Sequence, residues 1–191
     1  MKNVRMTIWM VILILTVSWL CEPVQAGIII QDKRDGGWAI LYASPTGQTF
    51  TAEDEYIQSI GFWLEDWNPS SGPIDITIEL FWGEGIGGQS LGSAPVEGLY
   101  PGFNGFFDAS FDFVRLEVGQ MYTAILSSPN MRAAVRWFQW APLYSDPYTG
   151  GDAIFQGQIE NYIDATFRVT PVPEPATLLL LGLGAMMLRR K

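Results

Sequence analysis

Twenty carboxylates, one cysteine and no histidine are the groups with which this 191-residue chain could do chemistry. Without histidine, the pairing of a hydroxyl or thiol nucleophile with an imidazole base is closed to it. Zinc sites, which draw on Cys and His, are excluded on the same ground. Two carboxylates about 5–9 Å apart can cleave a glycosidic bond. Here the acids alternate with hydrophobes, the pattern of a solvated strand face, so no catalytic residue is expected and the chain reads as a non-enzyme. Acidic turns suit calcium, which takes hard oxygen ligands. Glu53, Asp54 and Glu55 in "TAEDEY" and Asp32 and Asp35 in "DKRD" are the candidates. Neither stretch fits a fixed ligand spacing such as the EF-hand's, so no cofactor is expected beyond the option of a structural calcium.

The aromatic residues offer a different chemistry, because flat rings stack on the C–H faces of sugars. Trp67, Tyr100, Phe103, Tyr144 and Tyr148 lie in segments rich in Pro, Gly and Asp, where loop context favours exposure. They form the candidate sugar-stacking set. Trp63, Trp82, Trp137 and Trp140 accompany strand-like runs, where large rings ordinarily fill a core. One further motif, Gly83-Glu84-Gly85-Ile86-Gly87-Gly88, fits G-x-G-x-x-G. A dinucleotide site needs a helix after it to hold the pyrophosphate. "QSLGSAPV" follows instead, so a hairpin loop is expected.

The elements that must position these residues are short strands. The expected ones are Trp38–Tyr42, Gln48–Thr51, Tyr56–Trp63, Ile74–Trp82, Leu91–Val96, Phe106–Phe113, Met121–Ser127, Ala134–Trp140, Ala153–Phe155 and Tyr162–Val169. In "IDITIELFW", Ile74, Ile76, Ile78 and Leu80 fall on one face and Asp75, Thr77 and Glu79 on the other. "FFDASFDFVRL" alternates likewise, with Phe107, Ala109, Phe111 and Phe113 opposite Asp108, Ser110 and Asp112. No stretch between the two ends of the chain keeps a helical period. About ten strands with regular turn signals predict an all-β fold, an antiparallel β-sandwich of jelly-roll-like topology.

The two ends differ from this middle. Lys2 and Arg5 precede an apolar run, Ile8 to Leu20, and Val24-Gln25-Ala26 ends it with the pattern of a signal-peptide cleavage site. Residues 1–26 are therefore expected to form a signal helix, cut between Ala26 and Gly27 by a secretory signal peptidase. A lipoprotein anchored at Cys21 is the rival reading, disfavoured because Trp19 and Leu20 stand where small residues belong. At the other end, Thr177 to Leu188 is apolar and is followed by Arg189-Arg190-Lys191. A helix of a dozen residues covers only ~18 Å of a ~30 Å hydrocarbon core. The basic cluster would stay on the cytoplasmic side of a short transmembrane helix. Just before it, Pro173-Glu174-Pro175 is an exposed, non-helical strip.

Val172-Pro173-Glu174-Pro175, the apolar run and the basic end together resemble the PEP-CTERM sorting tail of Gram-negative envelope proteins, here over residues 171–191. The resemblance implies export, recognition by an exosortase-type membrane protease, and removal of a tail that anchors the chain transiently in the inner membrane. It also implies delivery to the envelope or an extracellular matrix, with exopolysaccharide as the surrounding material. The stretches "GFNGFFDASFDF", "VGQMYTAILSS" and "YTGGDAIFQG" loosely resemble the sandwich domains attached to such tails, which implies a fold for residues 27–170 and no catalytic residues. Between Gly27 and Pro175 there are six basic and nineteen acidic residues, a net −13. Nucleic acid, whose phosphates call for Lys and Arg, is excluded as a partner. A structural or adhesive role among glycans is the expectation, with a dedicated carbohydrate-binding module as the alternative and a small glycan-active enzyme as the outsider.

Overall fold

Period-two alternation and frequent turn residues produce strands throughout the computed structural model, which describes residues 27–70 and 72–172. In chain order the strands are β1 (Ile29–Gln31), β2 (Gly36–Ala39), β3 (Thr46–Thr51), β4 (Tyr56–Asp66), β5 (Thr77–Trp82), β6 (Ser90–Pro95) and β7 (Asn104–Arg115). There follow β8 (Met121–Ser127), β9 (Ala133–Gln139), β10 (Ala153–Phe155), β11 (Gln158–Glu160), β12 (Ile163–Ala165) and β13 (Phe167–Pro171). The strands form an antiparallel two-sheet sandwich. One sheet runs β1-β13-β4-β9-β12, with β7 also on β4 and β2 also on β9; the other runs β11-β10-β3-β8-β5-β6. The first and last strands are neighbours, with Ile29 opposite Val169.

The core lies between the sheets. Ile60, Phe62, Leu64, Ala109, Phe111, Val135, Phe167 and Val169 meet Phe50, Ile76, Ile78, Leu80, Tyr122, Ala124 and Leu126, all buried. The alternation seen in "IDITIELFW" holds, since Ile74, Ile76, Ile78 and Leu80 are all buried. In β7 a bulge changes the pattern. Ile57 faces Val114 while Ser59 faces Ser110, so β7 has extra residues there, and Asp112 takes a left-handed conformation at φ 44°. The inward set then moves from Ala109 and Phe111 to Val114 and Leu116.

Several strand boundaries differ from expectation, among them that of Ile74–Trp82, whose strand begins only at Thr77. The expected strand Trp38–Tyr42 stops at Ala39, and Ile40–Ala43 forms one helical turn whose Ile40 and Ala43, three apart, both point into the core. Tyr162–Val169 is divided at Thr166, where the chain leaves β9 and joins β4: Thr166 donates its N–H to Arg136 (2.9 Å) and accepts one from Trp63 (2.8 Å). The strands β1 and β11 were not expected at all. The signal helix, Ala26, Pro173, Glu174, Pro175, the apolar run and Arg189, Arg190 and Lys191 lie outside the described residues. Among the described residues no helix is long and apolar enough to cross a membrane.

Candidate functional site

Three loops converge where β4 ends and β7 and β9 begin, with Glu65 opposite Asn104 and Asp66 opposite Ala133. Asp66 is the organising residue. Its Oδ1 accepts from Arg132 Nε (2.9 Å) and Asn68 N (3.0 Å), and its Oδ2 accepts from Arg132 Nη2 (2.7 Å) and Gly102 N (2.9 Å). Arg132 Nη1 continues to the Gly72 carbonyl at 2.8 Å. The Arg132 guanidinium, helped by the amides of Gly102 and Asn68 and opposed by burial, holds the Asp66 carboxyl down at about 2. One ion pair thus ties together the loop after β4, the loop before β7 and the loop before β9.

Above this knot lies a cleft of about 360 Å³, lined by Gly72, Pro73, Ile74, Leu99, Tyr100, Pro101, Phe103 and Arg132. Of the five candidate stacking residues it unites Tyr100 and Phe103. Tyr100 is 54% exposed, with its ring 6.0 Å from Phe107. Phe103 is buried, 1% exposed and edge-on to Phe107 at 5.5 Å, so it shapes the cleft from below and offers no face to a ligand. The expectation of exposure for Phe103 is corrected accordingly: its carbonyl takes the Asp66 amide, which draws the residue into the core. Trp67 is exposed, but it is not among the residues lining the cleft.

Tyr144 and Tyr148 belong elsewhere. Tyr144 is exposed beside Phe138, ring centroids 5.5 Å apart. Tyr148 packs on the core against Phe167 (5.1 Å) and its hydroxyl accepts the Thr51 amide at 3.2 Å. Burial pushes that hydroxyl's pKa up. Tyr148 is thus a half-buried ring that props the segment between β9 and β10 against the core, and the expected exposure is again corrected.

Three of the candidate calcium carboxylates are engaged structurally. Glu55 pairs with Arg115 (2.6 Å), Asp54 Oδ2 accepts from Gly27 N (3.2 Å) and Asp35 Oδ1 accepts from Gln139 N (3.3 Å). Among the described residues no group of three or more acids, histidines or cysteines is placed to hold a metal ion. The most perturbed acid is Asp164 on β12, fully buried, with Oδ1 accepting from Gln48 Nε2 at 3.0 Å and Oδ2 without a donor. Burial, opposed by the Gln48 hydrogen bond and reinforced by Asp146 and Asp152, pushes it up to about 8. Because Gln48 sits on β3 and also accepts from Ala165 N (2.7 Å), this polar group bridges the two sheets from within.

Sequence reasoning passed over Asp66 and Arg132. A signal was available, since basic residues are scarce in an acidic domain and each is a natural ion-pair partner. Arg115, Arg132, Arg136 and Arg168 pair with Glu55, Asp66, Glu65 and Asp108. A second overlooked surface is Trp63, with the Arg34 guanidinium 3.5 Å above its ring and its own Nε1 donating to Asn104 (2.8 Å). The glycine motif is indeed a hairpin loop, since Trp82 N donates to Gln89 O across it at 2.9 Å and β5 pairs with β6.

The strand β13 ends at Pro171, and residues 171–191 match the family model for the PEP-CTERM protein-sorting motif. The chain carries a PEP-CTERM sorting tail. The tail implies exosortase-dependent sorting of an exported protein associated with the cell envelope. No curated protein matches the chain significantly. Among solved structures it is similar to the cysteine protease and lectin-like domains of Cwp84, a surface layer associated protein of Clostridium difficile. Identity is 10%, the TM-score is 0.39, and the match covers 74% of this chain and 37% of that one. The likeness is too weak to carry a fold or ligand assignment.

Proposed function

We propose that this is a non-catalytic structural or adhesive protein of a Gram-negative envelope or extracellular matrix, delivered by its PEP-CTERM tail and working in association with exopolysaccharide. The observation that carries the reading is the tail itself, which begins as the last strand of the sandwich ends. The apolar run would hold the chain in the inner membrane until an exosortase cuts near Pro173-Glu174-Pro175. The pairing of first and last strands supports a jelly-roll-like winding, and the lack of His and Cys between Gly27 and Pro175 supports a non-enzyme. Intact mass of the protein recovered from its host tests the reading. A chain from Gly27 to the Pro-Glu-Pro is expected. One that keeps Arg189-Arg190-Lys191 would mean a lasting anchor instead.

A second reading, a carbohydrate-binding module, rests on the cleft beside Tyr100, which pairs an exposed ring with a concave apolar wall. Glycan-array binding that is lost in Tyr100→Ala and kept in Tyr144→Ala would favour it. Equal binding by both variants, or none by the wild type, would leave the structural role.

A further inference from the structure

The cleft beside Tyr100 is a neutral, apolar place on a strongly acidic domain. Between Gly27 and Pro175 there are nineteen acids, yet among the described residues no carboxylate lines the cleft. Its one charged residue is Arg132, whose side chain is only 9% exposed and whose charge is balanced by Asp66 at 2.7 Å. A guanidinium carries five N–H donors. Two serve Asp66 and a third serves the carbonyl of Gly72, itself part of the cleft wall, which leaves two on the terminal nitrogens. The ion pair therefore has hydrogen bonds to give but no net charge to offer, and a neutral acceptor such as a carbonyl oxygen matches it. A carboxylate would have to compete with Asp66, and a cation would find no acid in the wall. Beside Arg132 stand Pro73, Ile74 and Leu99, with the buried Phe103 ring below, a surface suited to a methyl group. Tyr100 is at the rim, 54% exposed, its ring set at 60° to Phe107.

We propose that this cleft seats an acetyl group carried by a neutral sugar, as an acetamido or O-acetyl substituent. The proposal deepens the carbohydrate-binding reading of the same cleft and rests on it. An acetyl group sets a carbonyl oxygen beside a methyl group, and the cleft sets an N–H donor beside an apolar wall. The oxygen accepts from Arg132, the methyl group lies against Pro73, Ile74 and Leu99, and the sugar ring stacks its C–H face on Tyr100. A volume of about 360 Å³ is at the small end for ligand pockets, which suits a single substituted ring. The Asp66–Arg132 pair, by tying three loops together, holds the donor in place before the ligand arrives.

The test uses protein recovered from its host and isothermal titration calorimetry with matched oligosaccharides. An N-acetylglucosamine tetramer is set against cellotetraose, which has hydroxyls in place of the acetamido groups. An O-acetylated xylan oligomer is set against the same oligomer after deacetylation, so the two pairs separate amide from ester. In at least one pair the acetylated member should bind about tenfold more tightly, the usual worth of a methyl-sized group in an apolar pocket. Leu99→Trp, which fills the wall, should remove that preference, and Tyr100→Ala should weaken both members alike. Should Leu99→Trp fail to fold, Pro73→Trp, at an exposed position of the same wall, is read the same way. Equal binding within both pairs, lost in Tyr100→Ala, overturns the acetyl seat and leaves the carbohydrate-binding reading standing. A preference that survives the filled wall overturns the seat as well. If the wild type binds none of the four, the seat falls, and the glycan array decides the wider reading by itself.

Discussion

Asp164 and Asp66 are buried carboxyls pushed in opposite directions, and each makes a pH prediction. Asp164 is raised to about 8 by burial, with Asp146 and Asp152 adding to the effect and Gln48 opposing it. From about pH 4, where an unfolded Asp gives up its proton, up to about 8, the native state holds a proton that the unfolded state lacks. Stability from this group therefore falls as pH rises through that window. Asp164→Asn keeps a neutral side chain at every pH, so its melting temperature relative to wild type should climb between pH 5 and pH 8. A difference that is flat with pH would mean Asp164 is ionised in the folded protein. Asp66 is the reverse case: lowered to about 2 by Arg132, it contributes stability above about pH 4 that is lost as pH falls towards 2. Asp66→Asn should lower the melting temperature at pH 6 and narrow its deficit by pH 2.5, as followed by circular dichroism. Neither residue was legible in the sequence, where both are acids beside hydrophobes. What singles them out is the partner brought from 66 or 116 positions away, Arg132 for one and Gln48 for the other.

At the scale of elements, the glycine loop between β5 and β6 makes the sharpest prediction. Gly83 and Gly85 take φ of 83° and 79°, and Gly88 approaches the Trp82 backbone so closely that a Cβ would collide with its carbonyl oxygen. Gly88→Ala should cost about 1–3 kcal/mol in denaturant unfolding, the usual penalty of an overpacked contact. An unaffected midpoint would mean the hairpin tolerates a wider turn. The glycines thus serve a tight return between strands, as the missing helix after them foretold. Period-two alternation made β5 legible, where Ile78 and Leu80 are buried between less buried neighbours, whereas β3 and β8 are buried at nearly every position and were read from short runs between turn residues. The features that stayed hidden share a cause. β1 and β11 are three residues long, too short to show a period, and β11 is mostly exposed. The break at Thr166 and the bulge at Asp112 are set by which neighbour each strand meets. Phe103 and Tyr148 sat in loop-like sequence, and the burial of each follows from a backbone hydrogen bond that only the fold reveals.

For the whole molecule, the question is whether the sandwich stands without the tail that sorts it. Strand β13 is interior, with β1 on one side and β4 on the other, and Phe167, Val169 and Pro171 are buried. The last contact of the described chain is the hydrogen bond from Val172 to Tyr56. A cut within Pro173-Glu174-Pro175 falls just beyond it, so it should remove no part of the core. A chain ending at Val172 should therefore melt within about a degree of one that retains the tripeptide. A chain ending at Thr166 loses an interior strand and uncovers Ile29, Phe62 and Ile60, which should abolish cooperative unfolding. Differential scanning calorimetry of the two truncations decides the matter. If the Val172 chain were also unfolded, the tail would be a structural part of the domain. Exosortase cleavage would then have to be followed by refolding or by capture on the envelope. If it melts as expected, the domain is built to survive its own release, and the address can be cut away once it has been read.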